Sequence, residues 1–139
     1  MRPEEREYAL YRLSCASDTL DEAQALLEAG KGLRGSVNRI YYACFYAVSA
    51  LLVTKGMSAS KHSGVRALFN QHWIKVGALD TRLGAFYGAM FDRRQTGDYE
   101  AYSEFERADV EEWLAEARTF VAQVSDWLQA NTPDLKAAP

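Results

Sequence analysis

The sequence predicts an all-α fold, an up-and-down bundle of four long helices and one short one. Three observations point there. Apolar residues recur at alternating three- and four-residue spacing along most of the chain. No run alternates apolar and polar positions as a half-buried strand would. One stretch, Ser36 to Leu52, is apolar on nearly every face, as the inner helix of a bundle must be. With 139 residues, 48% of them hydrophobic and 25% charged, the chain suits a single domain around one core. That domain is expected over 1–132, with 133–139 as a flexible tail after the helix-stopping Pro133.

In chain order, Leu13, Ala16, Leu20, Ala23 and Leu27 form the seam of a first helix from about Pro3, which suits a first turn, to Ala29. The Gly30-Lys31-Gly32 segment ends it, and Ser36 is the expected cap of the central helix, which runs to about Lys55 before Gly56. A small-residue loop, Met57-Ser58-Ala59-Ser60, leads to a shorter helix over about Lys61–Lys75, with Val65, Leu68, Phe69, His72 and Val76 expected on its inner face. Asp80 can cap a fourth helix whose inward stripe is Leu83, Phe86, Tyr87 and Met90. The next position on that stripe is Arg94, so its guanidinium is not expected in open water. Gly97 is expected to interrupt, with Asp98–Tyr102 irregular. Ser103 followed by Glu106 then reads as a capping box opening a last helix, whose stripe is Val110, Trp113, Leu114, Ala117, Val121, Val124 and Leu128. Gly84 and Gly88 have a spacing that permits close helix approach and point only to tight packing.

The net charge of −3 conceals an asymmetry, because no Asp or Glu occurs between Glu28 and Asp80 while seven Lys and Arg do. Such a basic window suits phosphate-bearing partners or an acidic protein face, since local field matters more than total charge. Cys15 and Cys44 sit within helical patterns without metal-ligand spacing, which excludes a zinc site and a disulfide scaffold as the organising chemistry. The charged N-terminus and the lack of a long apolar run free of polar residues favour a cytoplasmic protein without membrane insertion. No metal and no cofactor is implied.

Two places could carry chemistry. Lys61 and His62 open the third helix, where the backbone N–H groups and the positive end of the dipole could help them hold a phosphate, or where they are simply surface and cap. At the end of the fourth helix, Arg93-Arg94-Gln95-Thr96-Gly97-Asp98-Tyr99 gathers cations, a carboxylate and a phenol. Arg94 and Asp98 have the spacing of an i,i+4 ion pair, while a guanidinium on a buried stripe needs several acceptors that a substrate phosphate or partner could supply.

The segments Asn38-Arg39-x-Tyr41-Tyr42-Ala43-x-Phe45, Lys61-His62-Ser63-Gly64-Val65 and Arg94-Gln95-x-x-Asp98-Tyr99, in this order, resemble the HEPN domain, named for nucleotide binding in higher eukaryotes and prokaryotes. The likeness is to its small stand-alone prokaryotic branch, members of which pair with a minimal nucleotidyltransferase in toxin–antitoxin systems. It implies a homodimer with the fourth-helix motif in a cleft. It also implies a metal-independent ribonuclease in which an arginine steadies the scissile phosphate and a histidine four to six residues on moves a proton. Here that histidine is absent and Asp98 stands nearest its position; a carboxylate with a pKa near 4 is a poor proton donor at neutral pH. His62 can substitute only if folding brings it to Arg94. The resemblance further marks Tyr99 as the candidate for modification by the nucleotidyltransferase, and Asn38, Arg39, Tyr42, Lys61 and Arg93 as candidate RNA- or nucleotide-binding residues. The alternative is a non-catalytic module that docks the nucleotidyltransferase or its nucleotide.

Overall fold

A computed structural model describes residues 1–30, 32–99 and 105–135, with the side chains of 96–99 and 134 outside the description. Among the described residues there are five α-helices and no strand: α1 (Pro3–Glu28), α2 (Leu33–Thr54), α3 (His62–Phe69), α4 (Thr81–Tyr99) and α5 (Arg107–Asn131). The helix α2 touches each of the other four. Ile40, Tyr41, Cys44, Val48 and Leu51 along it are all 0% exposed. Burying each aliphatic side chain of this kind stabilises the fold by about 1.5–3 kcal/mol, and the seams of α1, α4 and α5 supply the opposing surfaces. By length and mean hydropathy α2 would also serve as a membrane span. Its burial beneath four other helices accounts for the same composition.

Several boundaries differ from those the sequence predicts. The helix α2 begins at Leu33, after Gly32 in the left-handed region, so Ser36 lies inside the helix instead of capping it. The Ser36 hydroxyl donates to the Ala23 carbonyl of α1 at 3.0 Å, tying the two helices together in the core. At its other end α2 closes in a Schellman motif: Gly56, at φ +65°, bonds Val53 O, and Met57 N reaches Leu52 O at 2.9 Å.

The inner face after Phe69 also changes. Asn70–Ile74 is a π-helical turn in which Lys75 N bonds Asn70 O at 2.7 Å. The extra residue in that turn rotates the face. Trp73 is therefore fully buried against Trp127, His72 is only half-buried, and Val76, expected inside, is 67% exposed.

The helix α4 starts as expected, with Asp80 Oδ1 accepting the Arg82 N–H at 2.8 Å, and its stripe of Leu83, Phe86, Tyr87 and Met90 is buried. The two glycines make room for neighbours. A Cβ on Gly84 would meet Ile74 at 3.1 Å, and one on Gly88 would meet the Arg66 guanidinium at 2.5 Å. Gly97 does not interrupt: α4 continues through Asp98 and Tyr99, the roughly 1 kcal/mol penalty of an internal glycine being small beside the packing of a long helix. Residues 100–102 and the predicted capping Ser103 lie outside the described residues, and α5 starts at Arg107 with Glu106 before it. Pro133–Leu135, expected within the tail, forms a 3-10 turn with Leu135 buried, and 136–139 lie outside the described residues.

Candidate functional site

The polar edge of α2 meets the start of α3 and the last turns of α4 around two tyrosines. Asn38, Tyr42 and Tyr46 recur at four-residue spacing on α2, which puts them on one half-exposed face while the adjacent Tyr41 points inward. Arg94 stands one turn beyond buried Met90, so the stripe that packs α4 into the core delivers its guanidinium to the tyrosines. It lies 5.5 Å from the Tyr41 ring centroid and 5.3 Å from that of Tyr42, and donates to the Tyr42 hydroxyl at 3.3 Å. Each cation–ring contact at a partly desolvated site is worth about 0.5–2 kcal/mol.

His62 is the first residue of α3, and the loop after Gly56 brings it to the same place. Its imidazole stacks on Phe45 with centroids 4.3 Å apart and planes 10° from parallel. It stands edge-on to Tyr42 at 5.6 Å. Its Nδ1 is 2.8 Å from the Tyr41 hydroxyl. Stack and hydrogen bond together fix the ring. Burial and then the Arg94 charge lower the His62 pKa from its ordinary value, so the neutral imidazole is favoured. Burial raises the pKa of Tyr41, which keeps its hydroxyl protonated. Nδ1 being engaged, Nε2 is the nitrogen left for exchange, and it makes no hydrogen bond among the described residues.

Arg39 adds a second cation. Its guanidinium lies 5.1 Å from the Tyr42 ring centroid and donates to Asn38 Oδ1 from Nη2 at 2.9 Å. Asn38, Arg39, Tyr42, His62 and Arg94 are thus one cluster. The other candidates separate from it. Arg93 lies 4.1 Å over Trp113 of α5 and contacts the Met90 sulfur. Lys61 is exposed immediately before α3. Asp98 and Tyr99 occupy the last turn of α4, one turn past Arg94, and their side chains lie outside the described residues.

Sequence reasoning has Tyr41 and Phe45 within the Asn38–Phe45 segment but names neither as a site residue. Tyr41 is fully buried, yet its hydroxyl holds the histidine. The available signal was a phenol on an otherwise apolar inner face, where a buried hydroxyl requires a partner. Among the described residues no three His, Cys, Asp or Glu side chains gather as a metal site.

Chemically, the cluster offers one guanidinium with aromatic support, a second beside it, and a neutral imidazole with a free nitrogen. That set can hold an oxyanion and exchange a proton next to it.

Comparison with known proteins places the chain in a family. The chain is 46% identical over 123 residues to a UPF0332 protein of Thermotoga maritima, covering 88% of this chain and 89% of that one. It is 36% identical to a Methanocaldococcus jannaschii protein named "Putative toxin MJ0142", covering 78% of each. A second protein of that organism, "Putative toxin MJ0605", is 30% identical over 89% of this chain and 91% of its own length. The model of the HEPN domain matches residues 9–127, which include every helix that contributes to the cluster, and the chain therefore belongs to the HEPN domain family.

Proposed function

We propose that the chain is a toxin-type HEPN protein that binds RNA at the Arg94 cluster and cleaves it without a metal ion, His62 supplying the proton transfer that Asp98 cannot. The observation that carries this reading is the meeting of Arg94 and His62 on the same two tyrosine rings, 32 residues apart in sequence. Arg94, with Arg39 beside it, faces the phosphate and offsets the charge that develops on it. Neutral His62, in the tautomer whose Nδ1–H donates to the Tyr41 hydroxyl oxygen, takes the 2′-hydroxyl proton at Nε2. The 2′-oxygen attacks phosphorus, the P–O5′ bond breaks, and the leaving oxygen takes a proton from solvent. The products are a 2′,3′-cyclic phosphate and a 5′-hydroxyl end. Two of the relatives carry toxin in their names, which supports a toxin role.

On this reading the chain works in the cytoplasm as a homodimer that pairs two clusters, and a minimal nucleotidyltransferase restrains it by modifying Tyr99. A second reading keeps the partner and drops the chemistry: Asp98, standing where active relatives carry histidine, favours a module that binds nucleotide or nucleotidyltransferase only. Incubating purified protein with single-stranded RNA in excess chelator decides between them. The first reading expects cleavage to cyclic-phosphate ends, lost in Arg94→Ala and His62→Gln. Intact RNA at high protein concentration, with a stable nucleotidyltransferase complex on co-expression, supports the second and ends the first.

A further inference from the structure

The cluster is one end of a longer strip. Beyond Tyr42 the same face of α2 carries Tyr46, whose ring centroid is 6.0 Å from that of Tyr42. From Tyr46 the strip crosses to α1 through Arg12, whose guanidinium lies 5.2 Å from the Tyr46 ring and 4.9 Å from the Tyr8 ring. Tyr8 is 42% exposed and its neighbour Tyr11 61%, among the largest exposed apolar surfaces described. Arg39 to Tyr46 alone spans about 10 Å of helix.

Five arginines outside this strip, Arg2, Arg66, Arg82, Arg107 and Arg118, meet carboxylates. Among the described residues Arg12 and Arg39 pair with none. Arg12 donates to the Tyr8 hydroxyl and Arg39 to the Asn38 amide oxygen, both neutral acceptors. Neutral acceptors and ring faces hold a guanidinium in place while leaving its charge available. Alternating rings and unneutralised cations are what a single polynucleotide strand requires, since bases stack on the rings and phosphates meet the cations.

We propose that Arg39, Tyr42, Tyr46, Arg12, Tyr8 and Tyr11 form a track for the single-stranded RNA that flanks the phosphate held at Arg94. This rests on the RNA-directed reading of the cluster and adds to it a direction, along α2 toward the start of α1, and a preference for unpaired strands. A duplex keeps its bases stacked on one another and cannot use the rings.

The test is the affinity of the full chain for fluorescent single-stranded RNA of two and eight nucleotides, measured by anisotropy over a range of salt. The wild type gains affinity with length. Tyr8→Ala and Tyr11→Ala each lose about tenfold of the affinity for the eight-nucleotide RNA, as removal of one stacking platform does. Arg12→Gln lowers the slope of log affinity against log salt by about 0.7, one phosphate contact on a single strand. The track is overturned if these three variants bind like the wild type while Arg94→Ala loses binding, a result that leaves the Arg94 site standing. It is also overturned if Tyr8→Ala changes the oligomeric state in sedimentation and not the affinity, which makes the strip a contact between copies. If the wild type binds neither RNA, the reading of the cluster fails together with the track.

Discussion

Two sets of arginines in this protein hold positive charge differently. On the outer surfaces of α1, α4 and α5, guanidinium groups meet carboxylates: Arg118 with Asp21 at 3.7 Å, Arg107 with Glu111 at 2.9 Å, Arg82 with Asp80 at 3.6 Å. Exposed pairs of this kind contribute roughly 0–1 kcal/mol and cancel their own field. Along the polar edge of α2, by contrast, Arg12 and Arg39 lie over tyrosine rings and meet no carboxylate among the described residues. What differs is the neighbour supplied by the fold. The basic window from Lys31 to Lys75 contains all of α2 and α3 and carries no carboxylate of its own, and the aromatic stripe of α2 takes over the task of fixing side chains.

The comparison can be broken by removing one member from each region. The largest expected effect is Arg94→Ala, which should lower RNA cleavage by about 10²–10³-fold, the usual consequence of removing a preorganised charge donor. Circular dichroism should show the helices intact, because the side chain is only half-buried.

Next comes Tyr41→Phe, expected to slow cleavage by about tenfold, since a hydrogen bond that orients a proton carrier contributes roughly 1–1.5 kcal/mol. The ring contacts with Phe45 remain, so the loss should appear in kcal-scale terms as a lower maximal rate rather than a changed RNA affinity. A variant as slow as Arg94→Ala would mean that Tyr41 reaches the substrate itself.

Ser36→Ala should cost about 1 kcal/mol of stability through the lost Ala23 hydrogen bond, read from the urea midpoint, with cleavage unchanged. Arg118→Gln should be smallest, within about 0.5 kcal/mol of the wild type.

The pH dependence follows from His62. Its pKa is lowered in the fold, so the unfolded chain binds its proton more readily. Stability from this group is complete above the unfolded value near 6.5 and is lost as pH falls from there through the folded value. The acidic limb of cleavage should likewise rise with pH through a midpoint below about 6.5, where His62 loses its proton and becomes the base. Arg94 contributes to the lowering, and replacing it by glutamine should move the His62 midpoint upward, as NMR titration would record.

Much of the fold was legible because periodicity alone determines which face is buried. The seams of α1 and α5 and the stripe of α4 lie where their spacing placed them, and that stripe also made Arg94 recognisable. The misses have local causes. Ser36 looked like a cap because caps favour its hydroxyl, but the left-handed Gly32 starts the helix earlier and the hydroxyl serves α1 instead. His72 and Val76 were placed inside by a 3.6-residue period that the π turn breaks in favour of Trp73. The partnership of Tyr41 with His62 spans 21 residues and two helices, so no local pattern could announce it.

The chain has two histidines, His62 and His72, and that makes the most direct measurement possible. In 15N-labelled protein, their imidazole signals can be followed while a ribonucleoside 3′-monophosphate is added. The Arg94–His62 site predicts saturable shifts of the His62 ring nitrogens, abolished in Arg94→Ala, with His72, in the π turn after α3, unmoved. A His62 signal indifferent to the nucleotide, or one that shifts equally in Arg94→Ala, would contradict it.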